Sequence, residues 1–291
     1  MMFEGIFTAL ITPFKDGKVD ESALWNLVEQ QIEAGIAGLV PCGSTGESAT
    51  LSADEHNDVI DIVISAAAGR VPVIAGTGSN NTREAISFTQ YAKDAGATGA
   101  LLLSPYYNKP TQEGLIEHFV AIADATQIPL MLYNIPGRTA SNMLPETIAR
   151  LAEHEFIVGV KEACGDLDQI SQLISLCPSD FTVLSGDDSL LLPVMAVGGK
   201  GSIAVTSNLA PKRMLELYTS FQAGNVKRAR EIHHELLPVM NALFCETNPI
   251  PVKAALALMG LVHDDIRRPL TQITPPNRAR LEAASEEAGT L

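Results

Sequence analysis

Lys161 closes the run Ile157-Val158-Gly159-Val160-Lys161, in which a charged ammonium has no obvious route to water. If it is turned toward an interior together with Gly159 and Ala163, desolvation favours the neutral amine. Such an amine attacks a carbonyl to give an imine, which then acts as an electron sink. The competing reading places Lys161 on a helix-facing side, snorkelling to the surface or paired with Glu162.

Imine chemistry also needs protons moved at the carbinolamine and at the carbon beside the imine. Tyr133 suits that task, since a phenol both donates and accepts; the plain alternative is a strand-end aromatic filling space. Ser44, Thr45 and Tyr107 could form a hydroxyl relay with it, although taken alone the segment around Ser44 reads as a glycine turn before a helix. Arg138, after the Pro136-Gly137 turn, is a fixed cation of the kind that holds a carboxylate through two hydrogen bonds, or else a solvated surface arginine. Other candidates are weaker. His233-His234-Glu235 lacks a third ligand at metal spacing, Asp187-Asp188 reads as a strand-end turn and helix cap, and Cys164 reads as a small packing residue.

These residues need elements to hold them. Short apolar runs alternate with helix-length segments: 6–14, 36–43, 71–78, 99–106, 128–136, 156–163, 181–188 and 201–208 read as strands. Their near-continuous hydrophobicity suits parallel strands covered on both faces. Helices are expected over 53–68, 82–95 and 113–126, the first opened by a Ser52/Glu55 capping box and the second by Asn81 with Glu84. An open nucleotide-binding sheet would carry G-x-G-x-x-G after its first strand, where this chain has Thr12-Pro13-Phe14. The expectation is therefore an α/β protein, a (β/α)8 TIM barrel over 1–224 carrying the site, with a C-terminal helical extension over 225–291. The polar candidates all fall at strand ends, where barrels of this kind keep their chemistry, and three of the five tyrosines are among them.

Thirty-four acidic against 20 basic residues leave a formal net charge of −14. That sign repels phosphate backbones and anionic lipid, so neither nucleic acid nor membrane is expected as a partner. No apolar stretch approaches membrane length and no leader pattern opens the chain, which reads as cytoplasmic. The four cysteines are far apart and suggest neither disulfides nor zinc; no metal or cofactor is expected.

Taken together, the residues resemble the dihydrodipicolinate synthase family, within the class I aldolase superfamily that also holds N-acetylneuraminate lyase. The resemblance runs from Thr8–Pro13 to Asn248–Lys253, and its most specific pieces are Gly43–Leu51, Val73–Gly78, Pro105–Pro110, Tyr133–Thr139, Val160–Ala163 and Leu184–Asp188. It implies a lyase that condenses pyruvate with L-aspartate 4-semialdehyde in the diaminopimelate route to lysine. Lys161 would form the pyruvyl imine, and Tyr133 would shuttle protons with Ser44 and Tyr107. Thr45 and Ile203 would bind pyruvate, and Arg138 would hold the aldehyde's carboxylate. The family's tyrosine at the Tyr107 position reaches into a neighbouring subunit, implying a homodimer or a homotetramer built as a dimer of dimers. Many members have threonine where this chain has Ser44, which keeps the hydroxyl but loses the methyl that stiffens χ1.

The resemblance implies L-lysine as an effector, at Ser48, Ala49, His56, Asn80, Glu84 and Tyr106. Ala53 departs from the polar residue common in lysine-sensitive members. Two other functions compete: a sugar-acid aldolase of the same superfamily, against which Arg138 and the Tyr106-Tyr107-Asn108 segment argue, and a catalytically silent metabolite-binding barrel, against which the presence of both Lys161 and Tyr133 argues.

Overall fold

Eight parallel strands follow one another around a closed ring: β1 (Gly5–Ala9), β2 (Gly38–Val40), β3 (Ile74–Gly76), β4 (Gly99–Leu103), β5 (Leu130–Asn134), β6 (Ile157–Glu162), β7 (Thr182–Ser185) and β8 (Gly201–Ala204). Residues 3–290 are described by the structure, a computed structural model. β1 pairs with both β2 and β8, and the ring closes where Leu39 bridges Val73 between β2 and β3. The strands are shorter than the apolar runs suggest. The first run, 6–14, yields a ladder only to Ala9, and Phe14 instead enters a two-stranded hairpin, Phe14–Lys15 with Lys18–Val19. Apolar character continues past the ladder because the rim is itself buried.

Helices α1 (Glu21–Ala34), α2 (Ala53–Ala67), α3 (Thr82–Ala95), α4 (Gln112–Thr126), α5 (Pro145–Leu151), α6 (Leu167–Leu176), α7 (Leu191–Ala196) and α8 (Pro211–Gln222) fill the crossovers. The Ser52/Glu55 capping box is formed in full, satisfying two orphan N–H groups at the start of α2. At α3 the cap is Asn81 alone; Glu84 accepts a hydrogen bond from Ser79 instead.

Alternation along each strand sorts the apolar side chains into two layers. Phe7, Val40, Ile74, Leu101, Met131, Leu184 and Ile203 fill the barrel, with Phe3 edge-on to Phe7 among them. Leu39, Leu102, Leu132, Val160 and Val183 point outward against the helices. Three C-terminal helices, α9 (Val226–Ala242), α10 (Ile250–Leu258) and α11 (Pro275–Glu287), have no core of their own: Leu236, Val252 and Leu281 share a cluster with Leu24 and Val59. They therefore sit where they can reach the barrel rim.

Candidate active site

Lys161 is on β6 in parallel register with Tyr133 on β5, and Leu184 of β7 is its partner on the other side. Alternation along β6 turns Val160 and Glu162 outward and Lys161 inward, where it is 5% exposed. Its Nζ lies 4.3 Å from the centre of the Tyr133 ring, and among the described residues no hydrogen bond or ion pair engages it. Space for the lysine stem depends on Gly186. A Cβ there would stand 2.6 Å from Ala163 Cβ and 3.1 Å from both Lys161 Cε and Glu162 O, so only glycine lets β6 and the β7 rim approach this closely.

The pairing of Lys161 with Glu162, which the sequence leaves open, does not occur. Glu162 is buried on the outer face, where its oxygens accept from Asn134 Nδ2 at 3.0 and 3.1 Å and from the Cys164 N–H at 2.9 Å. Asn134 Nδ2 also donates to Asn142 at 2.8 Å, and Asn134 Oδ1 accepts from the Met143 N–H at 3.0 Å. This outer cluster locks the two strands that carry Tyr133 and Lys161. Burial pushes the Glu162 carboxyl up to about 7, despite opposition from those hydrogen bonds. A carboxyl raised in the folded state contributes stability that is fully present below its unfolded value and lost as pH rises through its folded one. The rise from 4.5 to about 7 corresponds to roughly 3 kcal/mol. Glu162→Gln, which cannot titrate, should therefore gain roughly that much relative to the native chain between pH 4.5 and 8 in denaturant unfolding. An unchanged difference at the two pH values would show that the carboxyl titrates normally.

Asp187 stands at the N-cap position of the 3-10 turn Asp188–Leu190 that follows β7, but its side chain makes no capping hydrogen bond. Asp188 is 1% exposed and accepts from the backbone N–H of Val205 at 3.1 Å and of Thr206 at 2.6 Å, tying the end of β7 to the end of β8. Cys164 is held as a thiol, pushed up to about 12 by burial first and by Glu162 second, which suits packing rather than attack.

Ser44 and Thr45 stand in the turn after β2. Thr45 is 3% exposed and its Oγ1 accepts from Asn248 Nδ2 at 2.9 Å. The backbone carbonyl of Asn248 accepts from Arg138 Nη2 at 2.8 Å, so one residue orients both a hydroxyl and a guanidinium. Arg138 belongs to a single helical turn, Pro136–Thr139, directly after β5. Ile203 is fully buried on β8. Tyr107 is different: it is 88% exposed with a left-handed φ of 73°, and within one chain it makes no hydrogen bond among the described residues.

Ser44, Arg138 and Asn248 line a cavity of about 580 Å³, and Ser48, Ala49, His56, Glu84 and Tyr106 line the same cavity. Asn80 stands beside it, donating to the Tyr106 carbonyl at 3.1 Å, but is not part of the lining. His56 is 6% exposed. Its Nε2 is 2.9 Å from the Gly76 carbonyl, which can only accept, so Nε2 carries the hydrogen and Nδ1 is a buried acceptor without a partner. Burial lowers the His56 pKa and keeps the ring neutral, against the Phe88 ring at 4.5 Å.

The sequence alone gives Asn248, Lys253 and Arg267 no site role. The first two lie in the Asn248–Lys253 segment that carries part of the family resemblance, which is the one signal that points to them. No local pattern marks Arg267.

A parallel barrel with an unengaged lysine inside it, beneath a tyrosine ring and near the C-terminal strand ends, defines the class: a lyase of the Schiff-base-forming aldolase type. The chain belongs to the dihydrodipicolinate synthetase family, whose model matches residues 2–288. It is 55% identical over 292 residues to the 4-hydroxy-tetrahydrodipicolinate synthase of Nitratidesulfovibrio vulgaris (strain DP4), covering 100% of both chains. Its fold matches the 4-hydroxy-tetrahydrodipicolinate synthase of Methylacidiphilum fumariolicum SolV with a TM-score of 0.98 at 44% identity, over 99% of this chain and 96% of that one. It also matches the synthase of Cyanidioschyzon merolae, solved with lysine bound, with a TM-score of 0.97 at 42% identity, over 100% and 99% of the two chains.

Proposed function

We propose that this chain condenses pyruvate with L-aspartate 4-semialdehyde, as a lyase of the diaminopimelate route to lysine. The observation that carries the reading is Lys161: an interior amine with no ion-pair partner, 4.3 Å from the ring of the one tyrosine in register with it. Lys161 Nζ attacks the ketone of pyruvate, and water leaves as the imine forms. Loss of a methyl proton gives an enamine, whose carbon attacks the aldehyde. The semialdehyde's own amine then displaces Lys161 by transimination, closing the ring and freeing the lysine.

The remaining roles follow from position. Tyr133 moves protons at the imine with Ser44, and Tyr107 completes the relay in a second copy of the chain. An 88% exposed tyrosine in a strained backbone conformation suits a side chain meant for a neighbour's site. The assembly is thus a homodimer, or a homotetramer made of two such dimers. Thr45 and Ile203 hold the keto acid. We divide the chain at residue 224, with the barrel before it and, after it, the extension that contributes Asn248 to the mouth of the site. No helix among the described residues is long and apolar enough to cross a membrane, and we place the protein in the cytoplasm.

Arg138 holds the semialdehyde carboxylate. Arg138→Ala should lower kcat/KM for the semialdehyde roughly 10- to 150-fold, the equivalent of a charged hydrogen bond of ~1.5–3 kcal/mol, while pyruvate still reaches Lys161. Near-normal use of the semialdehyde by this variant would place the clamp elsewhere. The function itself is tested by supplying the wild-type protein with pyruvate and the semialdehyde, and in parallel with sialic acid as a sugar acid. Condensation is the expected result, and cleavage of the sugar acid alone would overturn it.

L-Lysine is the proposed effector, at Ser48, Ala49, His56, Asn80, Glu84 and Tyr106. The neutral His56 ring and the Glu84 carboxylate make that part of the cavity hospitable to an ammonium group. Calorimetry should show saturable heat at millimolar lysine together with a falling initial rate, and His56→Lys should remove both. No heat and an unchanged rate would refute the site.

A further inference from the structure

The chain buries two lysines, and the reaction proposed above uses one. Lys253, on α10, is 1% exposed and its Nζ lies 2.5 Å from Glu47 Oε1. The other Glu47 oxygen accepts from the backbone N–H of Arg267 at 3.0 Å. Lys253 Nζ also sits 4.2 Å from the centre of the Phe14 ring, and the Arg267 guanidinium lies at the same distance from that ring. Arg267 in turn donates to both carboxylate oxygens of Glu55 on α2 and to the Thr50 carbonyl. A buried ion pair is costly to desolvate and is a poor device for stability alone. Burial pulls Lys253 below the ordinary ammonium range, and the Glu47 carboxylate opposes that pull.

Glu47 has a left-handed backbone, φ 53°. Glycine would take that conformation without strain, so the backbone does not call for glutamate; the carboxylate does. What it supports is specific. The Glu47 N–H donates to the Ser44 carbonyl at 3.2 Å, inside a turn that Gly46 and Ser48 also close onto the Gly43 carbonyl, at 3.0 and 3.4 Å. Thr45 has separate support from Asn248. The backbone of Ser44 and the hydroxyl of Thr45 are therefore held by different anchors.

We propose that the buried Glu47–Lys253 pair is a positioning device for Ser44. It pins the turn after β2 to the C-terminal helices and sets the hydroxyl that passes protons to Tyr133, while keto-acid binding rests on Thr45 and its own anchor. This inference depends on the relay described under the proposed function.

The test uses Lys253→Met and the gentler Glu47→Gln in the full chain, both assayed well below their melting temperatures. In each, kcat should fall on the order of 10- to 100-fold, as expected for a misplaced proton-transfer group. KM for pyruvate should move less than about threefold, and the final extent of borohydride trapping at saturating pyruvate should match wild type. Combining Glu47→Gln with Ser44→Ala should give no more loss than Ser44→Ala alone, since both act through one hydroxyl. A folded Glu47→Gln variant with wild-type kcat would reduce the pair to a structural role. Losses that multiply in the double variant, or a pyruvate KM that rises in step with the loss of kcat, would likewise overturn the proposal. Wild-type turnover with pyruvate and the semialdehyde tests the underlying function. The variant-to-wild-type ratio, taken with whichever aldol substrate the wild type uses, tests the positioning, so the two failures are separable.

Discussion

Incubation with pyruvate and borohydride should fix one reduced adduct on the chain, at Lys161, and Lys161→Ala should lose both the adduct and turnover by a factor on the order of 10⁴ to 10⁶. The magnitude is that of removing a covalent nucleophile, where the residual rate comes from binding alone. Burial does not by itself select Lys161, because Lys253 is buried more deeply, at 1% against 5% exposure. Engagement selects it. Lys253 Nζ is held by Glu47 at 2.5 Å, so forming an imine there would require giving up its charge and leaving a buried carboxylate unpaired. Lys161 Nζ has no such partner and already lies over the Tyr133 ring. Substitution by alanine removes a side chain that lies over the Tyr133 ring but leaves the Asn134–Glu162 lock on the outer face, so the variant should fold. Peptide mapping checks the outcome. An adduct on Lys253, or trapping that survives in the alanine variant, would refute the assignment.

Tyr133→Phe should lower kcat by roughly 10²- to 10⁴-fold, the usual contribution of a placed general acid–base group. The substitution isolates the hydroxyl. Phenylalanine keeps the ring above Lys161, and Tyr133 is anchored through its backbone, whose carbonyl accepts from the Ser104 N–H and hydroxyl, both at 3.0 Å. The hydroxyl itself makes no hydrogen bond among the described residues, which leaves it available to a bound substrate. The adduct at Lys161 should still form in this variant, more slowly, because the nucleophile is intact. Loss of less than about tenfold in kcat would mean that another group carries the proton. An unchanged melting temperature would show that the effect is chemical.

The outer faces of the same strands bear on both expectations. Asn134 and Glu162 are the register partners next to Tyr133 and Lys161, so the polar cluster behind the sheet fixes the relative height of tyrosine and lysine. A slip of either strand by one residue would turn its own reactive side chain out of the barrel. The reactive pair is thus held by groups that never face the substrate.

By itself, the sequence determined the kind of elements and their order. Continuous apolar runs, capped helices and the absence of a nucleotide-binding turn lead to a parallel barrel, because burial on both faces and capping are local properties written in short windows. It also brought Lys161 and Tyr133 forward, since an ammonium in an apolar strand is conspicuous wherever the strand lies. It did not decide which way Lys161 faces. Alternation puts Gly159, Lys161 and Ala163 on one side, but only ring closure makes that side the interior. Strand ends were also undetermined, as Phe14 illustrates: hydrophobicity reports burial, whereas a strand ends where its ladder hydrogen bonds end. Asn248 on Thr45 and Arg138, Lys253 on Glu47, and Arg267 on Glu55 were decided only in the folded chain, joining residues 110 to 212 positions apart. No periodic pattern encodes such pairs. They form because the C-terminal helices lack a core of their own and must pack on the barrel, which brings Lys253 and the connecting segments that carry Asn248 and Arg267 to the rim that the second and fifth strands have already built.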